Sequence, residues 1–310
     1  METDACRICG AEDSASVASV TGRLGPRRFE LRRCNFCRFV FVSDPWLDYE
    51  AIYSEAYYRG QGADTKLNYI EEVEHPARTV RRYEWRGIAE RVGALASVSP
   101  DTTWLDYGCG TGGLVSFLRG RGVQATGFEQ GWCAPRLRDQ GVPTIDDPTI
   151  AEHAGRFDIV TAIEVIEHTI DPVGVLRQIR SLLKPGGLLF LTTANAAPFA
   201  DRLGSWRYMT PEVHISFFEP ATLALALEKA GFQTEFPGFG PGWPDMIRYK
   251  VLMSLHRKWT SPLELAVPWT LLAKAIDSRL RLSAQPIGWA RDQASPASTK
   301  PRRTSDGSSV

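Results

Sequence analysis

From residue 103 to residue 236, short apolar runs alternate with stretches whose apolar residues recur at helical spacing. Residues 103–106, 123–128, 142–145, 157–163, 188–192 and 232–236 read as buried strands. Residues 114–118, 132–140, 172–183 and 220–230 read as the helices between them, the last ending at Gly231 as a cap. Upstream, residues 76–95 carry Val80, Tyr83, Ile88, Val92 and Leu95 at helical spacing, with Pro76 suited to a first turn. Downstream, residues 245–258 and 262–282 repeat the helical pattern. Strands that alternate with helices predict a mostly parallel sheet covered by helices on both faces.

The strongest local signal is the end of the first run, Leu105-Asp106-Tyr107-Gly108-Cys109-Gly110-Thr111-Gly112-Gly113. An apolar strand ends at an acidic residue, glycines follow, and a helix begins. Without Cβ atoms this turn lets a ligand touch the backbone, and the free N–H groups of the helix start face it. Gly108, Gly110 and Gly113 also fit a dinucleotide pattern, which alone is weak. Asp106 disfavours a pyrophosphate and suits a cationic ligand. Glu129 ends the second strand about twenty residues on, where a carboxylate can accept both hydroxyls of a ribose.

Residues 105–112 resemble the first motif of class I S-adenosylmethionine-dependent methyltransferases. The order strand, Glu164-Val165-Ile166-Glu167-His168, helix, Lys184-Pro185-Gly186-Gly187, strand resembles the same family, so that the likeness spans about ninety residues. The resemblance implies a Rossmann-like seven-stranded sheet that binds S-adenosyl-L-methionine at Asp106, Gly108, Gly110, Gly112 and Glu129. It also implies an adenine contact near Asp146 and a methionine-end contact at Glu164. The expected reaction is methyl transfer to O, C or N of a small molecule such as a sugar, a polysaccharide precursor or a secondary metabolite. Two other readings remain: an NAD-dependent oxidoreductase, and a non-catalytic scaffold on a methyltransferase-like fold.

Residues 164–168 leave the carboxyl end of a parallel strand, where open α/β sheets bind ligands. As one helical turn, they would put Glu164, Glu167 and His168 on one face. Three uses stay open: a divalent-metal site that acidifies a substrate hydroxyl, His168 as a metal-free base, or a structural turn. The Glu-x-x-Glu-His spacing resembles that of ubiquinone-pathway O-methyltransferases and small-RNA 2′-O-methyltransferases. His214, in an irregular excursion after the fifth strand, is a second candidate base or a fourth metal ligand. Trp206, Arg207 and Tyr208 in that excursion are candidates to read the substrate.

Before the sheet, Cys6-Arg7-Ile8-Cys9 and Cys34-Asn35-Phe36-Cys37 form two Cys-x-x-Cys pairs. Four thiolates so spaced suit tetrahedral zinc in a ribbon too small to hold a core alone; a redox pair is the rival reading. The pairs, a strand and a tyrosine-rich segment (Trp46, Tyr49, Tyr53, Tyr57, Tyr58) resemble the N-terminal region of bacterial small-molecule methyltransferases. The expected organisation is a four-cysteine zinc-ribbon module over 1–45 and a linker with helices over 46–100. A methyltransferase domain follows over 101–291, with a helical insertion at 245–282 and a final antiparallel strand over 284–290. Residues 292–310, rich in Ser, Pro, Lys and Arg, read as a disordered tail.

Composition narrows the partners. Formal net charge is zero, which argues against a nucleic-acid footprint. No uncharged apolar run approaches the ~20 residues of a membrane span. A cytoplasmic protein is expected, with a homodimer allowed by the apolar face of the insertion.

Overall fold

The computed structural model describes residues 5–63, 65, 68–236, 238–280 and 287–292. The amino-terminal part is an antiparallel meander of β1 (Ser14–Thr21), β2 (Arg28–Cys34) and β3 (Val40–Val42). In β2, Phe29 and Leu31 are buried while Arg28 and Glu30 face outward, the two-residue period of a strand with one covered face. Three short helices follow: α1 (Tyr49–Ile52), α2 (Glu55–Tyr58) and α3 (Tyr69–Glu74). Asp48 and Asn68 side chains accept backbone N–H groups at the starts of α1 and α3.

Helix α4 (Arg81–Leu95) begins later than the expected position at Pro76. Tertiary contacts take the preceding residues instead. Val80 N–H donates to the Lys258 carbonyl (3.0 Å), and Thr79 forms a bridge with Trp259.

The main domain alternates as the pattern predicts. Its elements are β4 (Thr103–Tyr107), α5 (Gly113–Arg119), β5 (Gln124–Phe128), α6 (Cys133–Asp139), β6 (Thr144–Ile145), β7 (Phe157–Ile163), α7 (Pro172–Leu182) and β8 (Leu183–Thr192). After the excursion come β9 (Ser216–Phe217), α8 (Pro220–Lys229), β10 (Phe232–Glu235), α9 (Trp243–Ser254), α10 (Trp269–Leu280) and β11 (Ile287–Asp292). The sheet order is β10-β11-β8-β7-β4-β5-β6. Strands β6, β5, β4, β7 and β8 run parallel, and β11 is antiparallel to both of its neighbours. The chain therefore has the Rossmann-like sheet expected of it. Strand order reverses at β4, so a crevice opens at the carboxyl ends of β4 and its neighbours β5 and β7.

Two cores hold the layers. On one face α7 and α8 bury Leu176, Ile179, Leu223 and Leu227 against Leu105, Val160 and Leu189. On the other, Trp85, Ile88 and Val92 of α4 meet Trp104, Phe190 and the α9 residues Trp243, Met246 and Ile247. Each such side chain contributes about 1.5–3 kcal/mol by leaving water. Helices α4 and α9 approach closely at Gly87, where a Cβ would lie 2.7 Å from the Gly242 carbonyl oxygen.

Three expectations change. The helix expected over 262–282 divides into a 3-10 turn (Pro262–Ala266) and α10, because Pro268 interrupts it. The final strand covers Ile287–Asp292 and so runs past the expected end at 290, while its expected start at 284 lies outside the described residues. Strand β9, from within the excursion, pairs with β3 and so becomes the fourth strand of the amino-terminal sheet. The expected tail lies outside the described residues from 293 on, as do residues 281–286. Among the described residues, no helix is long and apolar enough to cross a membrane.

Candidate functional site

A cavity of about 1280 Å³ opens over the carboxyl ends of the parallel strands. That exceeds the ~300–1,000 Å³ of an ordinary small-ligand pocket and leaves room for two molecules. One wall is the glycine turn. Gly108 and Gly110 line it with left-handed φ of 73° and 55°. A Cβ on Gly108 would lie 2.7 Å from Val165, whereas one on Gly110 would meet nothing within 4 Å. Gly108 thus packs the turn against the chain, and Gly110 leaves bare backbone toward the space. Gly112 does not line the cavity; it caps α5 in the left-handed region.

Asp106 is buried at this wall. Trp104 Nε1–H donates to Thr161 Oγ1 (3.0 Å), and Thr161 Oγ1–H donates to Asp106 Oδ1 (2.8 Å). This relay orients the carboxylate. Burial pushes Asp106 up to about 7, with the Thr161 hydrogen bond opposing it. Glu129 stands at the end of β5, where its two oxygens accept Gly110 N–H (2.6 Å) and Gln130 N–H (3.0 Å). Burial raises it also to about 7, against the pull of those two donors. A buried carboxylate, Asp106, and a half-buried one, Glu129, stand on either side of a bare turn, where cationic or hydroxyl-bearing groups can meet them. Asp146, by contrast, is exposed, ion-paired with Arg138 and outside the cavity lining.

The second wall is the turn after β7. Glu164 does not begin a helix: its φ is 55°, left-handed for a non-glycine residue, and the helical turn covers only Ile166–His168. The expected common face of Glu164, Glu167 and His168 is therefore broken. Glu164 turns to Thr192, whose hydroxyl donates to Oε1 (3.0 Å), and to Lys250 Nζ at 3.6 Å.

In its place His214 joins Glu167 and His168; ligand atoms of all three lie within 4.8 Å of one another. His168 Nδ1 lies 2.9 Å from the Val213 carbonyl oxygen and 2.9 Å from Tyr53 Oη. His214 Nδ1 lies 2.8 Å from the Tyr208 carbonyl oxygen. A carbonyl only accepts, so both imidazoles carry their proton on Nδ1 and present the lone pair at Nε2. Metal-binding histidines are oriented in this way. Tyr208 Oη–H donates to Glu167 Oε1 and lies 3.2 Å from Glu164 Oε2, joining the two carboxylates through one hydroxyl. Burial, and then the charge of Glu164, raise Glu167 to about 8. Glu167 Oε2 is buried with no hydrogen-bond partner. Two Nε2 lone pairs and an orphaned carboxylate oxygen fit a divalent cation.

The third wall carries residues that sequence reasoning did not single out. Arg81 donates to Tyr249 Oη (2.8 Å), with its Nε 3.4 Å from Glu84 and 3.6 Å from Glu72. Neither Arg81 nor Lys250 belongs to a recognisable motif; only the packing of α4 on α9 brings them to the cavity. The linker tyrosines both pack as a cluster and line the cavity. Tyr53, Tyr57 and Tyr58 are packed in a cluster with Cys133 and Val213, and all three line the cavity. Arg207 and Tyr208 line it also, while Trp206 stacks on Phe199 in the amino-terminal core.

The cysteine module lies behind the second wall. Cys6 and Cys37 sulfurs are 3.4 Å apart and Cys9 and Cys34 sulfurs 3.5 Å apart, with all four within 4.8 Å. Tetrahedral thiolates at Zn–S distances would stand about 3.8 Å from one another, so the donor set fits zinc.

With fold and site in view, comparison with known proteins gives a family. The family model for a methyltransferase domain matches residues 73–235, more than half of the chain. The chain belongs to the class I S-adenosylmethionine-dependent methyltransferases. It is 37% identical over 153 residues to the ubiquinone biosynthesis O-methyltransferase of Xanthomonas axonopodis pv. citri (strain 306), covering 42% of this chain and 62% of that relative. It is 36% identical over 159 residues to the protein of the same name from Xanthomonas campestris pv. campestris (strain B100), covering 44% and 64%. The chain thus spans less than two thirds of the length of these curated relatives. A solved structure of phosphoethanolamine N-methyltransferase 2 from Haemonchus contortus, in complex with S-adenosyl-L-methionine, aligns with a TM-score of 0.46 and 14% identity. That alignment covers 78% of this chain and 60% of that one.

Proposed function

We propose that the protein is an S-adenosyl-L-methionine-dependent O-methyltransferase of a small hydroxyl-bearing molecule, with a divalent cation at Glu167, His168 and His214. The observation that carries this reading is the convergence of those three side chains, with both Nδ1 protons held by backbone carbonyls. The name of the Xanthomonas relatives agrees with an oxygen acceptor. Family membership speaks against an NAD-dependent oxidoreductase.

The cofactor's adenosine would sit at the glycine turn with its ribose hydroxyls donating to Glu129. Its ammonium would face Asp106, and its carboxylate would pair with Arg81. Such a placement turns the sulfonium methyl toward the second wall. A divalent cation, when bound there, lowers the pKa of an acceptor hydroxyl. Tyr208 fixes Glu167, the Val213 and Tyr208 carbonyls fix the imidazoles, and Tyr53, Tyr57 and Tyr58 line the cavity beside them. The acceptor hydroxyl would lose its proton to solvent, its oxygen would bond to the methyl carbon in line, and the sulfur–methyl bond would break to leave S-adenosylhomocysteine as a neutral thioether. Alignment and proton removal are most of the task, since the sulfonium is already a good leaving group. We also read the Cys6, Cys9, Cys34, Cys37 set as a structural zinc site, and residues 1–45 as a module completed by β9.

A labelled-methyl screen tests the function. Tritiated cofactor is supplied with phenolic and sugar acceptors and with metabolite extracts, in magnesium or in a chelator selective for hard cations. Methyl incorporation into oxygen that needs the cation is expected. Incorporation indifferent to the chelator contradicts the metal assignment, and incorporation into nitrogen or carbon contradicts the acceptor.

A further inference from the structure

The first cysteine pair does more than hold sulfur. Arg7 lies between Cys6 and Cys9, and its guanidinium reaches the chain where β3 ends and β9 begins. Its Nη1 donates to the Ile215 carbonyl (3.1 Å), its Nη2 donates to the Val42 carbonyl, and its guanidinium sits 5.3 Å from the Phe41 ring centroid. The Ile215 carbonyl also accepts Val42 N–H (3.0 Å), and Ile215 N–H donates to the Glu167 carbonyl (2.9 Å). One residue, next to His214, is therefore tied on one side to Glu167 and on the other to the cysteine knuckle. Ser216 and Phe217 continue the tie by pairing with Phe41 and Val40 of β3. Beneath it, Cys6, Ile8, Phe39 and Phe41 share one buried cluster with Ile166 of the Glu167 turn.

We propose that Arg7 is a positioning residue for the proposed methyl transfer: it holds Ile215 so that His214 and Glu167 keep their mutual geometry, and the four-cysteine module serves as its anchor. The inference rests on the reading of Glu167, His168 and His214 as the reacting site, and it adds a mechanical role for the module behind them. A two-residue strand with one antiparallel neighbour has little stability of its own. Strand β9 is held by β3, by the Ser216 Oγ–H bond to the Thr169 carbonyl (3.1 Å) and by burial of Ile215 and Phe217, and Arg7 adds the tie to the first cysteine knuckle.

Hydrogen exchange of the full-length chain reads this directly. In Arg7→Met, exchange over residues 214–217 should rise at least about tenfold, while β4 and β7 keep their protection. Zinc content and S-adenosylhomocysteine affinity should match the unsubstituted protein, because neither the sulfurs nor the glycine turn is touched. Arg7→Lys, which keeps a cationic donor, should restore part of the protection. A merely structural loss would raise exchange across both sheets and lower the affinity. Unchanged protection at 214–217 in a folded Arg7→Met overturns the proposal. Should that variant shed its zinc, the unsubstituted protein decides: stripping the metal with a thiol-competing chelator should open 214–217 in step with zinc loss, and continued protection there overturns it. Failure of the functional reading shows elsewhere, as an unsubstituted protein that does not bind S-adenosylhomocysteine.

Discussion

The phenol ring of Tyr208 lies flat on the imidazole of His214, with centroids 3.9 Å apart and planes 7° from parallel. The same tyrosine donates its hydroxyl proton to Glu167 and accepts His214 Nδ1–H at its own carbonyl. One residue thus touches two of the three proposed cation ligands by three different means. Tyr208→Phe keeps the stack and removes the donor to a buried carboxylate. Mn²⁺ affinity, measured by calorimetry, should fall about 10–100-fold. Urea unfolding should show about 1–3 kcal/mol of lost stability. Tyr208→Ala, which also loses the stack, should be worse on both counts.

His168→Ala and His214→Ala separate chemistry from cofactor binding. Each removes an Nε2 lone pair from the cluster, far from Asp106 and Glu129 in function. Methyl transfer should drop at least about 100-fold, whether the imidazole acts as ligand or as base. S-adenosylhomocysteine affinity should stay within about twofold of the unsubstituted protein. Equal turnover in both variants removes this cluster from the reaction.

The pH dependence follows from Asp106 and Glu129, whose carboxyls are pushed up to about 7 in the folded chain, chiefly by desolvation, from ordinary values of 3.8 and 4.5. The folded protein keeps protons that the unfolded chain gives up, so this contribution to stability is full below about pH 4 and is lost as pH rises through about 7. Cofactor binding runs the other way. Ribose hydroxyls and an ammonium favour the ionised carboxylates, so affinity should rise between pH 6 and pH 8 by about tenfold for each carboxylate that must ionise. Calorimetry in buffers of different ionisation heat should show proton release on binding near pH 6.5. Asp106→Asn should remove one step of it.

The zinc assignment to the two cysteine pairs makes a separate prediction. The purified chain should carry one zinc, and chelator competition should give an apparent binding free energy of about 10–16 kcal/mol. Cys34→Ser should lose that zinc. A protein that folds with four free thiols and no metal contradicts the assignment.

Much of the fold was legible because its signals are local. Apolar runs such as residues 157–163 and 188–192 have one plausible burial, and the glycine turn announces a strand-to-helix junction. The two cysteine pairs are visible by spacing alone, and the structure brings their four sulfurs together. The rest depends on long-range contacts. Strand β9 is two residues long and takes its partner from the far end of the chain, so nothing in its own sequence marks it. The Glu164–His168 stretch looks helical, yet Glu164 takes a left-handed φ and turns toward Thr192 and Lys250. Its expected place beside Glu167 goes to His214, which sequence offered as a candidate base or a fourth ligand. Arg81 carries no motif at all; only the packing of α4 against α9 gives it a place at the cavity.

Titration calorimetry with S-adenosylhomocysteine, with NADH as the control, tests the central claim most directly. Saturable one-to-one binding of S-adenosylhomocysteine that strengthens with pH and weakens in Asp106→Asn is expected, with no heat from NADH. A folded protein that gives no binding heat with S-adenosylhomocysteine or S-adenosylmethionine at millimolar concentration, or that binds NADH instead, would contradict it.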